Sequence, residues 1–189
     1  MKDKKPDLTG GTASRRKLRW LCMTAIGTAL FVALALCLQV PVFENYYLCL
    51  GYISMAVCLY SFGTASGTFV GVAGVILYCV LISGLRGLPG WAVGNLIIGI
   101  IVGPTFKRTK RMQKKWMQAA VNFLAIAFST AVGILILKSL TECILYAQPM
   151  AVRIGKNVFA FAADVFVLEF SLPICMSLDK LLQKTLKRR

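Results

Sequence analysis

The chain has 189 residues, of which 58% are hydrophobic and only 15% are charged, and its formal net charge is +15. A soluble domain carries roughly 25% charged residues, so this composition excludes an ordinary soluble fold. The positive charge does not indicate a nucleic-acid-binding protein, because the basic residues gather in short blocks between long apolar runs. We therefore expect an all-α integral membrane protein, folded as a compact bundle of six transmembrane helices.

A transmembrane helix needs about 20 apolar residues, and the chain offers six apolar stretches of roughly that length. In chain order, the predicted spans are residues 20–42, 46–62, 68–85, 91–106, 116–138 and 158–178. The first span follows a basic start but lacks a small-residue cleavage site, which favours a retained anchor over a signal peptide. Residues 139–157, with Pro149 as a helix breaker, are predicted to form the longest outer connection.

The ends of the chain differ from the apolar spans in composition. Residues 1–18 are rich in Lys, Arg, Gly and Thr and are predicted to be a disordered basic cytoplasmic tail. Residues 19–185 then form the membrane domain, and residues 186–189 form a second basic cytoplasmic tail.

Lys and Arg residues predict the orientation in the membrane. Seven lie before the first span, six between the fourth and fifth, and five at the carboxyl-terminal end, which is 18 of the 22 in the chain. Six spans place all three blocks on one side, and the positive-inside rule assigns that side to the cytoplasm. We predict a multi-pass protein of the bacterial plasma membrane with both termini in the cytoplasm.

Small residues recur at a spacing that suits close helix packing in lipid. On the third and fourth spans this spacing predicts glycine contacts inside the bundle. On the first span it allows either internal packing or a flat face for another protein. The residues are Ala25, Ala29 and Ala33 on the first span, Gly63, Gly67, Gly71 and Gly74 leading into the third, and Gly90, Gly94, Gly99 and Gly103 on the fourth.

Several polar and aromatic residues are predicted near the outer side of the bundle. Charges at membrane depth are expensive and usually functional, and two acidic residues fall inside the sixth span. The residues suit a pocket for a small polar or aromatic molecule, although the aromatic ones also fit an interfacial belt. The candidate binding residues are Glu44, Tyr46, Tyr47, Trp91, Asn95, Asp164 and Glu169.

No catalytic motif is visible. The chain has no histidine, no P-loop and no nucleophile elbow, and its seven cysteines lack metal-ligand spacing. We therefore predict neither catalytic residues nor a metal or cofactor, and no enzyme activity. If the protein moves a solute, the energy is expected to come from a partner.

From about residue 18 to 185, the chain resembles the substrate-binding S components of energy-coupling factor (ECF) vitamin transporters. The resemblance rests on the order and spacing of short motifs rather than on any single one. These motifs are the alanine ladder of the first span, Leu50-Gly51-Tyr52-Ile53, the glycines from Gly63 to Gly74, and Pro89-Gly90-Trp91 with the later glycines of the fourth span.

This resemblance implies that the chain captures a vitamin at the outer face under the 41–47 loop. The vitamin would be riboflavin, another B vitamin or a precursor. The chain would then deliver it with a transmembrane T component and two cytoplasmic ATPases. Ala25, Ala29 and Ala33 would dock on the T component. Tyr52 and Tyr78 stand where many relatives carry an acidic residue, and the sequence does not choose among the vitamins.

Two other classes of protein remain as alternatives. The first is a small membrane enzyme acting on lipid phosphates, with the basic loop 107–115 holding the phosphate. The second is a small channel or a structural membrane protein.

Overall fold

The computed structural model describes residues 9–37, 40–43, 46–82, 87–147 and 149–187. Helices account for most of this part of the chain, and a short antiparallel β-hairpin follows the first helix. The elements are α1 (Thr9–Cys37), β1 (Val40–Phe43), β2 (Tyr46–Leu48), α2 (Gly51–Phe62), α3 (Thr64–Leu81), α4 (Leu88–Thr109), α5 (Lys115–Thr130), a π-helical segment (Ala131–Lys138), α6 (Ser139–Tyr146) and α7 (Met150–Lys187).

The helices form a bundle whose successive passes run in opposite directions. α5, the π-helical segment and α6 follow one another without a break and form a single pass, Lys115–Tyr146. Five passes in the described part of the chain are long and apolar enough to cross a membrane, and α2 is a sixth, shorter apolar helix. The helical membrane bundle predicted from the sequence is therefore confirmed.

The two ends of the bundle can be named by their residues. The hairpin end holds β1, β2 and the start of α2, together with the junction between α6 and α7. The basic end holds the α2–α3 junction at Gly63 and the loop 110–114 between α4 and α5. The described parts of all three basic blocks lie at the basic end.

α3 lies at the centre of the bundle and packs against α1, α2 and α4. Glycines make this possible, because each of them meets a neighbouring helix where a larger side chain would not fit. Gly71 faces Met55 of α2, and Gly74 faces Phe31 of α1. The predicted internal role is confirmed for Gly67, Gly71 and Gly74, whereas a Cβ added to Gly63 would meet nothing within 4 Å.

α4 also lies very close to the pass that follows it. A Cβ added to Gly133, in the π-helical segment, would lie 2.8 Å from the carbonyl oxygen of Gly94. The two backbones are therefore in direct contact, with no side chain between them.

The structure differs from the sequence-based assignment of elements in three places. α1 begins at Thr9 rather than near residue 20, so residues 9–18 are helical where a disordered tail was expected. Once a helix is nucleated, good helix formers such as Ala13, Arg15 and Lys17 extend it at little cost. Residues 1–8 and 188–189 lie outside the described residues, and α7 includes Lys187 of the predicted second tail.

The second place is the segment 139–157, which was expected to be a connection and is largely helical. Its polar residues hydrogen-bond one another across α6 and α7 instead of facing a loop, as Asn157 Nδ2 donating to Ser139 Oγ at 2.9 Å illustrates. The turn is confined to the few residues around Ala147, whose φ of 49° is left-handed. The predicted breaker, Pro149, immediately precedes α7.

The apolar run through residue 48 was also misassigned. Residues 40–43 and 46–48 pair as β1 and β2, with Val40 opposite Leu48 and Pro41 opposite Tyr47. The first span thus ends at Cys37 rather than 42, and the second helix begins at Gly51 rather than 46. An apolar run of this length does not by itself distinguish a strand from a buried helix.

The contact between Gly94 and Gly133 yields a stability prediction. Gly133→Ala places a methyl group against a backbone oxygen that cannot move aside, and it should lower the free energy of unfolding by about 1–3 kcal/mol. Gly155→Ala is the matched control, because its added Cβ meets nothing within 4 Å and alanine favours a helix. Thermal unfolding in detergent, followed by circular dichroism, compares the two variants. Equal midpoints would contradict the close contact.

Candidate functional site

A cluster of polar side chains surrounds the hydroxyl of Tyr52 at the start of α2. Trp91 Nε1 donates a hydrogen bond to Tyr52 Oη at 2.8 Å. The same oxygen lies 2.8 Å from Asn95 Oδ1 and 3.2 Å from Asp164 Oδ2. The cluster therefore joins α2, α4 and α7 at one atom.

The hydroxyl of Tyr52 carries a single proton for two acceptors. It can complete a hydrogen bond to only one of them at a time, and Asn95 Oδ1 is the nearer. Tyr52 and Asn95 have no exposed surface, and Asp164 is 6% exposed. At any moment one of the two acceptors lacks a hydrogen bond from Tyr52 and can accept one from a ligand.

Asn95 is held by the close packing of α3 and α4. Its Nδ2 donates to the backbone oxygen of Gly71 at 2.9 Å. With this amide nitrogen bound to α3, the side chain presents its oxygen to Tyr52. Both polar atoms of the Asn95 side chain are thus paired, one with α3 and one with α2.

Aromatic rings flank the polar cluster on two sides. Phe31 meets the Tyr52 ring edge to face, with centroids 6.2 Å apart, and Tyr78 meets Trp91 in the same way at 5.7 Å. The site thus combines hydrogen-bonding groups with flat apolar surfaces, as sites for ring-shaped ligands commonly do.

Charges and backbone near the hairpin end complete the surroundings of Asp164. Lys138, in the π-helical segment, is close enough for its charge to attract that of Asp164. β2 packs against α7, the helix that carries Asp164. The hairpin therefore lies beside the polar cluster.

The structure brings together only part of the predicted site. Trp91, Asn95 and Asp164 converge on the hydroxyl oxygen of Tyr52. Glu169 is not in these contacts, and its Oε1 is buried without a hydrogen-bond partner among the described residues. Tyr46 and Tyr47 lie in β2, and Glu44 lies outside the described residues.

Tyr52, which joins the cluster, was not among the predicted site residues. The sequence marked it only as a tyrosine in the place where many relatives carry an acidic residue. The signal available in the sequence was its position next to Gly51. In the structure, a Cβ added to Gly51 would meet Phe31 at 2.9 Å, and this close contact holds the start of α2 against α1.

A second buried polar group lies nearby, between α6 and α7. Glu142 Oε2 forms an ion pair with Arg153 Nη1 at 3.4 Å and lies 3.5 Å from Asn157 Nδ2. Glu142 and Asn157 are both buried. These bonds explain why α6 and α7 remain helical and packed at the hairpin end.

The alanine ladder lies on the outer surface of the bundle. Ala25, Ala29 and Ala33 are all exposed, whereas Gly27 and Phe31 on the opposite side of α1 face α2 and α3. Of the two interpretations that the spacing allowed, internal packing is wrong for these three residues. They form a smooth exposed strip along α1.

Comparison with known proteins identifies the family. No curated protein and no solved structure matches the chain. Residues 16–178, most of the chain and all of the Tyr52 cluster, match the family described as the ECF-type riboflavin transporter, S component. The members of this family are substrate-binding subunits of transporters rather than enzymes, and the chain belongs to the family of ECF-type riboflavin transporter S components.

Proposed function

We propose that this S component captures riboflavin, or another B vitamin of similar chemistry, in the Tyr52 cluster at the hairpin end. The observation that carries the proposal is the convergence of Trp91, Asn95 and Asp164 on the Tyr52 hydroxyl. These groups lie inside the segment that matches the riboflavin transporter family.

The chemistry of the cluster suits such a ligand. Riboflavin has a flat aromatic ring system with an imide edge and a chain of hydroxyl groups. Asn95 offers both a donor and an acceptor, Asp164 accepts hydrogen bonds from hydroxyl or imide groups, and Trp91 offers a ring face and a donor. The ligand would take over hydrogen bonds that Tyr52 makes in its absence, so little polar surface would be left unpaired.

The basic residues support an orientation in which the hairpin end faces outward. Lys and Arg cluster at the basic end, in α1, in the α4–α5 loop and at the end of α7. By the positive-inside rule this end faces the cytoplasm of a bacterium, with both termini inside. The Tyr52 cluster would then meet solutes from outside, with the hairpin over it.

The exposed strip on α1 supports docking on a partner in the membrane. Small residues let another helix approach closely, and Ala25, Ala29 and Ala33 face away from the bundle. The partner would be the T component, which would link this chain to two cytoplasmic ATPases. The chain itself would supply binding, and the ATPases would supply the energy for uptake.

Asp164→Asn tests the binding site. The carboxylate would accept hydrogen bonds from the ligand, so its loss should weaken riboflavin binding at least tenfold, which corresponds to about 1.4 kcal/mol. Asp179→Asn is the matched control, because Asp179 pairs with Lys110 at the basic end and its variant should bind normally. Titration of the purified proteins, followed by quenching of flavin fluorescence, measures both affinities.

Two outcomes would count against this assignment. Equal affinities of the wild type and the Asp164 variant would remove Asp164 from the site. If mass spectrometry finds that a different vitamin co-purifies with the wild type, riboflavin is not its substrate.

Ala29→Trp tests docking separately from binding. The bulky ring should keep the T component from approaching α1, so uptake by cells should fall at least tenfold while ligand affinity stays within twofold. Ala119→Trp is the control, because Ala119 is also exposed but lies on α5, away from α1. Loss of both binding and uptake at Ala29, or of neither, would rule out the docking role.

A further inference from the structure

A cavity of about 400 Å³ opens at the basic end, far from the Tyr52 cluster. Its walls are the end of α2, the α2–α3 junction and the last turns of α4. Its volume falls in the range of small-molecule sites, roughly 300–1,000 Å³. Nothing in the capture of a vitamin at the hairpin end uses this cavity.

Two lysines of α4 line the cavity, and their charges are not equally compensated. Lys110 Nζ forms an ion pair with Asp179 Oδ1 at 3.1 Å and lies 4.0 Å from the centroid of the Tyr60 ring. Lys107, one turn earlier, forms no ion pair with any residue that the structure describes. The cavity therefore carries one uncompensated positive charge in its wall.

The α2–α3 junction adds hydrogen-bond donors to the same place. Gly63, with φ of 98°, turns the chain into α3, and the first backbone bond of the helix is from Gly67 N to the oxygen of Gly63. The N–H groups of residues 64–66 consequently have no partner within the helix.

A cation and free N–H groups at the start of a helix favour an anionic ligand with several oxygen atoms. Phosphate has this chemistry, since its oxygens accept hydrogen bonds from N–H groups at a helix start and attract lysine. Basic pockets between transmembrane helices bind the phosphorylated head groups of lipids in this way. We propose that the basic-end cavity is a phosphate-binding site that takes the head group of an anionic phospholipid.

The proposed site is the cavity itself and not the basic surface of this end as a whole. Arg108, Arg111 and Lys114 are exposed and do not line the cavity. Lys107 is also exposed, but unlike these three residues it lines the cavity. Replacing Lys107 should therefore have an effect that replacing Arg108 does not.

The test compares Lys107→Gln with Arg108→Gln, which removes the same charge one residue away. The full-length protein is placed in nanodiscs of phosphatidylcholine, with or without phosphatidylglycerol, and its thermal unfolding is measured. Phosphatidylglycerol should raise the midpoint of the wild type by several degrees. Lys107→Gln should lose at least half of this rise, Arg108→Gln should keep it, and Lys107→Arg should restore it.

A second arm distinguishes the lipid from free phosphate. The same proteins in phospholipid-free detergent are titrated with inorganic phosphate, with chloride at equal ionic strength as the reference. If the unfolding midpoint rises in a way that depends on Lys107 only in detergent with phosphate, and not in nanodiscs, the site binds soluble phosphate. That result would overturn the lipid as its ligand. A rise in nanodiscs alone, or in both arms, supports the lipid head group.

The remaining outcomes would overturn the site itself. If Lys107→Gln and Arg108→Gln lose the rise equally, the effect comes from general surface charge. If neither loses it, or if neither anion stabilises the wild type, the cavity does not bind phosphate. Because these measurements use no vitamin, their result does not depend on the proposed substrate.

Discussion

The close approach of α4 to its neighbours is the contact on which the polar cluster depends. Gly94 and Gly133 meet backbone to backbone, and Gly99 lies against Thr68 of α3. Lipid offers helices little hydrophobic reason to associate, so small residues at the contact and the hydrogen bonds that they permit hold the bundle together. A wider separation would take Asn95 out of reach of α3 and of Tyr52. Packing and polar pairing are therefore two aspects of one interaction.

The sequence could predict which polar residues lie at depth but not which of them meet. Asp164 and Asn95 were recognisable because polar groups inside apolar spans are rare and expensive. Their convergence depends on the rotation of three separate helices about their own axes, and hydropathy does not report this rotation. Tyr52 was missed for the same reason, since a tyrosine near a helix start fits an interfacial belt equally well. Glu169 was included because of its charge alone, although it makes no contact with the cluster.

The number of passes and the basic blocks were readable from composition, whereas several element ends were not. The hairpin of 40–43 and 46–48 looks like the continuation of an apolar helix, because strand pairing is not encoded in hydropathy. The segment 139–157 was predicted to be a connection, with Pro149 as its breaker, because it lies between the last two apolar spans. Its helices exist because Glu142, Arg153 and Asn157 satisfy one another across the contact. In both cases a long-range partner decides a local conformation.

The pass formed by α5, the π-helical segment and α6 is longer than the membrane requires. Its 32 residues extend about 48 Å at 1.5 Å per residue, while the hydrocarbon core is about 30 Å thick. In the proposed orientation, this excess length would place α6 and the first turns of α7 at or above the outer head groups. Asp164 follows Asn157 by seven residues, which places it about 10 Å deeper. In the proposed orientation, a ligand on its way to Tyr52 would descend along this wall and lose its hydration, so each hydrogen bond in the cluster would discriminate more strongly than it would in open water.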